Sequence, residues 1–172
     1  MKKFYLLMIA TLLMATTYAQ EPIFEKGNTA INIGVGLGLR GLPLDLSVTY
    51  GIVDNLFTAK GLTLGVGGYL GFSSWKSSSF WGYGGHTFFP GAKVEVHYSI
   101  VDKLDFFGGF LAGLRIDKWD AGYWTTPGTE RSYYFSTGAY VGAKYFITPN
   151  FGFYATAGYG IAFLSGGIAL QF

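Results

Sequence analysis

The sequence predicts an all-β fold, an eight-stranded antiparallel up-and-down transmembrane β-barrel, on the strength of three observations. Apolar residues alternate with small or polar residues in a period of two along most of the chain, as in strands whose two faces meet different environments. The chain is 50% hydrophobic and 13% charged, yet beyond residue 20 it has no apolar run of the roughly 20 residues that a membrane helix needs. A seven-residue pattern also recurs three times, as YGIVDNL from Tyr50, YSIVDKL from Tyr98 and YFITPNF from Tyr145.

The first 19 residues have the pattern of a secretory signal peptide. Lys2 and Lys3 form a basic start, residues 4–14 are almost wholly apolar, and T-Y-A at 17–19 offers small residues at a cleavage site. The apolar run is too short for a membrane span, so cleavage after Ala19 is expected rather than an uncleaved anchor. The remaining chain is then one domain, with a short N-terminal segment at 20–27 and a β-barrel over 28–172.

Charge and cysteine content exclude some classes of function. Removing Lys2 and Lys3 from the 12 basic residues leaves ten, which equals the ten acidic residues. A neutral chain argues against a nucleic-acid partner, which would require a basic surface. The chain has no cysteine, so it carries neither disulfides nor the lipid-bearing cysteine of a lipoprotein. We expect no cofactor, and no metal site, because the two histidines have no cysteines to join them.

The strands follow from the alternation. In residues 28–40, NTAINIGVGLGLR, one parity is aliphatic and the other is glycine or polar, and residues 44–50, 62–72 and 92–98 repeat the pattern. The second face is rich in glycine with scattered charges, which is typical of a barrel with an apolar exterior in lipid and a polar lumen. A soluble ligand-binding barrel of lipocalin type would need the reverse pattern. The expected strands are 28–40, 44–52, 56–72, 88–99, 104–116, 132–146, 151–161 and 165–172.

The repeated pattern marks the inner turns between hairpins. Its tyrosine ends one strand at the membrane interface, where aromatic rings are favoured. VDN, VDK and TPN supply the residues of a tight turn, and the next leucine or phenylalanine starts the following strand. Three such turns divide the chain into four hairpins, and we expect an aromatic belt at this edge, formed by Tyr50, Tyr98, Tyr145 and Phe172.

The outer connections are expected to be unequal. Those near 40–44 and 163–165 are short, whereas 73–87 and 117–131 are long, aromatic and poor in charge. Their rings can serve either as interface anchors or as a recognition surface for a partner or glycan. Both interpretations stay open for the candidate residues, which are Trp75, Trp81, Tyr83, Trp119, Tyr123 and Trp124.

The chain ends in SGGIALQF, with Ile168, Leu170 and Phe172 on one face. This ending resembles the signal read by the outer-membrane assembly machinery, and the whole of 28–172 resembles the small eight-stranded outer-membrane barrels of the outer-membrane protein X and outer-membrane protein A transmembrane-domain type. The resemblance implies a location in the outer membrane of a Gram-negative-type cell. It implies contact with outer-membrane lipid and lipopolysaccharide, and with the assembly machinery through Phe172. An extracellular partner would be of unknown identity.

Parity places a set of charged residues in the lumen. An eight-stranded barrel is just wide enough for its side chains to fill, so we expect ion pairs and hydrogen bonds that neutralise one another rather than a pore; a narrow porin-like channel is the alternative. With a tight turn at 41–43, Arg40 is expected opposite Asp45. The set comprises Arg40, Asp45, Lys93, Glu95, His97, Asp105, Arg115 and Lys144.

Two motifs raise the question of chemistry. His97 and Ser99 in HYS resemble the histidine and serine of the lipid A deacylases, which are also outer-membrane barrels, but here they take the lumen parity. The glycines at 34, 36 and 38 lack the spacing and the helix of a dinucleotide site, and instead leave room for Tyr69, Tyr140 and Tyr154. We therefore expect a non-enzymatic barrel serving surface interaction or membrane integrity, with a lipid-modifying enzyme as the alternative.

Overall fold

The computed structural model describes residues 22–38, 41–58, 61–76, 84–120, 130–158 and 160–172. The expected signal peptide lies outside these residues. The described residues form eight strands in a closed antiparallel barrel, in which each strand pairs with the next and β8 pairs with β1. No helix in the described part of the chain is long and apolar enough to cross a membrane.

The predicted fold class and the order of its elements are confirmed. We call the end that carries the β2–β3, β4–β5 and β6–β7 connections the inner end, and the opposite end the outer end. The strands are β1 Thr29–Leu37, β2 Leu44–Val53, β3 Leu62–Lys76, β4 Gly84–Val101, β5 Leu104–Asp120, β6 Glu130–Thr148, β7 Phe151–Gly158 and β8 Leu164–Gln171.

The exterior is an apolar band six residue pairs high across β3 to β6. On β4 the outward positions run from Tyr98 to Phe88 and alternate with buried positions such as Lys93 and Glu95. Ten residues of strand extend about 34 Å, or about 26 Å along the barrel axis at a tilt of about 40°, which matches the ~25 Å apolar band of outer-membrane barrels. The alternation in the sequence thus produces a lipid-facing belt.

Aromatic residues collect at the inner edge. The register pairs Tyr50 with Thr29, whose backbone also bonds to that of Phe172 at 2.9 Å. Tyr98 pairs with Leu62, and Tyr145 pairs with Leu104, the first residue of β5. Tyr50, Tyr145 and Phe172 are at least half exposed. The structure therefore places the four residues of the expected belt near the inner ends of β2, β4, β6 and β8.

The repeated sequence pattern has a structural meaning that the sequence alone did not reveal. In each copy the register skips one residue, and that residue is the isoleucine that all three copies share: Ile52, Ile100 and Ile147. A β-bulge of this kind bends its strand and increases the local twist. Each returning strand therefore bends just before its inner turn, and the second and third turns consist of only two residues, 102–103 and 149–150.

The prediction of a strand over 56–72 was wrong at its start. Leu56–Thr58 forms a short 3₁₀ helix and β3 begins at Leu62. Asn55 and Phe57 have φ values of 53° and 54°, and Gly61 has 81°. These left-handed positions cannot continue a strand, so this inner connection is longer than the tight turn expected from VDN.

The expected long loops 73–87 and 117–131 were also too wide. β3 and β4 remain paired from Ser73↔Thr87 to Lys76↔Gly84, and β5 and β6 remain paired as far as Trp119↔Glu130. Serines and glycines in these stretches suggested loops, but ladder hydrogen bonds need no apolar side chain once the strand leaves the lipid. At the other strand ends β1 and β7 are shorter than predicted, ending at Leu37 and Gly158.

Candidate functional site: the lumen and the outer mouth

Glu95 lies at the centre of a buried polar network. Its carboxylate accepts hydrogen bonds from Thr49 Oγ1 at 2.5 Å and from Tyr140 OH at 2.9 Å. Lys93 Nζ lies 3.1 Å from the same carboxylate, and His97 Nε2 lies 3.5 Å from it. Glu95 is 1% exposed. Side chains from β2, β4 and β6 thus meet on one anion, and the lumen at this level is filled by their contacts.

His97 belongs to the same network. Its Nδ1 lies 2.7 Å from Asp105 Oδ2. Its ring stacks on Phe107 with centroids 5.5 Å apart and contacts Phe24 in a tilted arrangement at 4.2 Å. The Ser99 hydroxyl instead accepts the backbone N–H of Ile23 at 2.9 Å. The described hydrogen bonds therefore tie His97 and Ser99 to different partners, and both residues are buried on the lumen side.

Lys144 is fully buried next to the same rings. It pairs in register with Asp105, and its ammonium lies 4.8 Å from the ring centroid of Phe107 and 5.4 Å from that of Phe24. A cation over an aromatic face is attracted by the ring quadrupole, more strongly where water is excluded. The inner half of the lumen therefore holds its charges among carboxylates and aromatic faces.

Asp45 occupies the lumen but not in the expected pairing. The register places Gly34 opposite Asp45, so the prediction that Arg40 would lie opposite it was wrong; Arg40 itself is outside the described residues. The cause is the connection between β1 and β2, which spans 38–43 rather than a tight turn and contains Gly41 at φ 70°. Asp45 accepts a hydrogen bond from Tyr154 OH instead.

Glycines on the lumen face make room for the tyrosines, as expected. A Cβ built on Gly34 would lie 2.1 Å from the Tyr154 hydroxyl, and one built on Gly109 would lie 2.9 Å from the hydroxyl of Tyr140. Both distances are shorter than real Cβ contacts. The small residues of the alternating pattern therefore allow Tyr154 and Tyr140 to reach Asp45 and Glu95.

Two apolar barriers enclose the network. Towards the outer end, Phe89, Leu111 and Ile161 form a buried cluster. At the inner end lies Phe24, which is 1% exposed. The cavity between them, about 50 Å³, has room for no more than a few water molecules. The described lumen is thus occupied by side chains at both levels.

The segment that carries Phe24 was not recognised as structural from the sequence. The carbonyl of Ile23 accepts hydrogen bonds from the side chains of Gln171 and Asn28, and Gly27 N–H bonds to the carbonyl of Gly51 at 2.9 Å. The segment therefore folds across the inner opening and connects β8, β1 and β2. A lone phenylalanine among charged residues gives no periodic signal, which is why the alternation did not reveal it.

Arg115 lies in a separate outer chamber. Its Nε is 3.2 Å from Asp117 Oδ1, which also accepts a hydrogen bond from Thr87 Oγ1 at 2.7 Å. Tyr134 donates to the other oxygen of Asp117. These residues line a cavity of about 640 Å³ at the outer mouth. Of the eight expected lumen charges, the structure thus brings six together and places Arg115 apart from them.

Two tryptophans stand at the rim of the outer chamber. Trp75 and Trp119 take the lumen parity on β3 and β5 and flank Gly85 in the register. Their rings meet edge to face, with centroids 5.6 Å apart and an interplanar angle of 80°. The other aromatic candidates, Trp81, Tyr83, Tyr123 and Trp124, lie outside the described residues. No group of histidine, cysteine and acidic side chains in the described ranges could hold a metal ion.

Comparison with known proteins supplies structural neighbours only. No protein-family model matches the chain, and no curated protein matches it. Among solved structures, Ail, the attachment invasion locus protein of Yersinia pestis, in complex with the heparin analogue sucrose octasulfate, matches at a TM-score of 0.56 and 16% identity, over 86% of this chain and 99% of Ail. A second crystal structure of Ail matches at a TM-score of 0.52 and 18% identity, with the same coverage of both chains.

The N-terminal β-barrel domain of Pseudomonas aeruginosa OprF matches at a TM-score of 0.53 and 15% identity, over 86% of this chain and 98% of the domain. The chain has the fold of the small outer-membrane β-barrels. At these identities the likeness concerns the fold and carries no function with it.

Proposed function

We propose that the chain is a non-enzymatic integral protein of the outer membrane, a rigid barrel that serves surface interaction or membrane integrity. The observation that carries the proposal is the apolar band around a closed, polar, side-chain-filled lumen. Only a closed barrel or a helix satisfies every backbone group in lipid. Its partners in this role are outer-membrane lipid and lipopolysaccharide. During assembly, Phe172 is recognised by the outer-membrane assembly machinery.

The outer mouth is the surface that this barrel presents to the exterior. Short inner turns and longer outer connections are the usual orientation of outer-membrane barrels, so Trp75, Trp119 and the chamber around Asp117 face outwards. The neighbour Ail was solved with a heparin analogue. Here Arg115 is paired with Asp117, which favours contact through rings and hydroxyl groups over the binding of a sulphated sugar.

The gel mobility of the outer-membrane fraction tests the proposal. A closed barrel resists detergent, so the unboiled protein is expected to migrate as a compact species and to shift on boiling. Absence of the shift, together with recovery of the protein in the soluble periplasm, would contradict a membrane barrel. In that case a ligand cavity should be sought in the interior.

The alternative of a lipid-modifying enzyme makes a different prediction. The double substitution H97A/S99A is expected to leave the acylation of lipid A unchanged, because both side chains point into the lumen and lie on Asp105 and Ile23 rather than on lipid. Mass spectrometry of extracted lipid A measures this, in cells where the variant still shows the heat-dependent shift. If a deacylated lipid A species is present with the unmodified protein and absent with the folded variant, the enzymatic hypothesis would be supported instead.

A further inference from the structure

A row of basic residues crosses the outer surface directly beyond the apolar band. In the register Ser74 pairs with His86, His86 with Lys118, and Lys118 with Arg131. These four positions on β3 to β6 share the outward parity, opposite to that of the buried Ser73, Thr87 and Asp117. We call them the basic row. Three of its four members are basic residues on neighbouring strands.

The basic row lies at a defined depth. The pairs immediately below it are the last apolar positions of the band, Phe72, Phe88, Ile116 and Tyr133. The His86 ring stacks on Phe72, with centroids 6.0 Å apart. Because the band matches the thickness of the hydrocarbon layer, the basic row falls at the level of the lipid headgroups. It lies at the outer end of the barrel, so these are headgroups of the outer leaflet.

Two members of the row, Lys118 and Arg131, concentrate positive charge at one point on the surface. Lys118 and Arg131 stand directly opposite each other, an arrangement that is unfavourable for like charges. Neither has an ion-pair partner among the described residues. Lys76 adds a further cation one pair further out, where Asp120 holds the corresponding position on β5. An anion from outside would relieve the repulsion between Lys118 and Arg131.

We propose that the basic row binds the phosphate groups of a phosphorylated glycolipid headgroup in the outer leaflet. Arginine engages phosphate through a planar pair of N–H groups and lysine as a point charge, and both attractions strengthen at the edge of the low-dielectric hydrocarbon layer. From β4 to β6 the row spans two strand spacings, about 10 Å, which suits a headgroup larger than a single phosphate. The inference rests on the proposed outer-membrane orientation.

The test is a lipid titration of the refolded barrel in neutral detergent with EDTA, so that divalent-cation bridges do not contribute. Native mass spectrometry counts bound lipid for diphosphorylated lipid A, dephosphorylated lipid A, phosphatidylglycerol and inorganic phosphate. Diphosphorylated lipid A is expected to bind in preference to the other three. The double variant K118Q/R131Q is expected to lose about a hundredfold in affinity, since it removes two charge-assisted contacts that are each worth roughly tenfold.

The matched control is K26Q/K103Q, which removes two positive charges from exposed positions at the inner edge. This variant should bind diphosphorylated lipid A as the unmodified protein does. Equal binding by K118Q/R131Q, or equal binding of dephosphorylated lipid A, would overturn the inference. Equal binding of phosphatidylglycerol or free phosphate would also overturn it, by showing general attraction of anions. If the protein still shows the heat-dependent gel shift in any of these cases, the proposed function stands and only the lipid-binding inference is wrong. If the unmodified protein shows no shift, the proposed function itself is wrong.

Discussion

Replacing Glu95 by leucine is expected to lower the free energy of unfolding by about 3–5 kcal/mol, the usual cost of removing one partner from a buried ion pair. The substitution leaves Lys93 buried without its carboxylate. It also removes the acceptor for Thr49 and Tyr140, and an unsatisfied buried hydroxyl carries its own desolvation cost. Urea unfolding of the refolded barrel in detergent, followed by tryptophan fluorescence, measures the change.

A second variant separates charge from packing. In K93M/E95L the uncompensated ammonium is gone, and replacing a whole buried ion pair by apolar residues is often close to neutral. We therefore expect this double variant to be more stable than E95L alone. The exposed Glu25 provides the control, since E25L should change stability by no more than about 0.5 kcal/mol. A double variant no more stable than E95L would show that the loss comes from hydrogen bonds and packing rather than from the orphaned charge.

The sequence was sufficient to predict the topology because alternate residues of a membrane strand face either lipid or the lumen, and their polarity shows which. One parity had to face lipid, so the strand number and the inward direction of Lys93 and Glu95 followed from counting. Strand ends were less predictable. Beyond the lipid the alternation loses its cause, yet the ladder continues to Lys76 and Glu130, because backbone hydrogen bonds remain favourable there.

Partners within the lumen could not be derived in the same way. Parity shows that two residues share the interior, but contacts depend on the stagger between strands, which bulges and connection lengths set. The bulge at Ile100 pairs Ser99 with Asp105, and His97 reaches that carboxylate. The six-residue β1–β2 connection likewise put Gly34, not Arg40, opposite Asp45. Neither stagger has a signal in the composition of the strands.

The N-terminal segment illustrates a different limit. Phe24 is nearly inaccessible in the structure, although QEPIFEKGN reads as a polar leader before the first strand. Its burial depends on a space between His97, Phe107 and Lys144 that exists only once the barrel has closed. A local sequence pattern cannot predict a contact between Phe24 and residues that lie on strands distant in the sequence.

Replacing Phe24 by alanine is expected to cost about 3–5 kcal/mol of unfolding free energy, the range for deleting a buried phenylalanine ring. The ring covers His97 at 4.2 Å and faces the Lys144 ammonium at 5.4 Å, so its loss exposes both to water from the inner end. F24L should retain most of the stability, because a leucine still fills the opening. Urea unfolding in detergent compares the two variants with F57A, because Phe57 is 87% exposed in the connection between β2 and β3.

Conductance across a planar bilayer then tests whether Phe24 is the sole barrier of a narrow channel. We expect F24A to remain closed, because the buried cluster of Phe89, Leu111 and Ile161 still blocks the lumen between the polar network and the outer chamber. A stable ion current through F24A but not through the unmodified barrel would favour the hypothesis of a narrow porin-like channel that the N-terminal segment plugs. Loss of stability without current would mean that Phe24 acts on the barrel as packing, holding the inner ends of β1, β2 and β8 together through the segment that carries it.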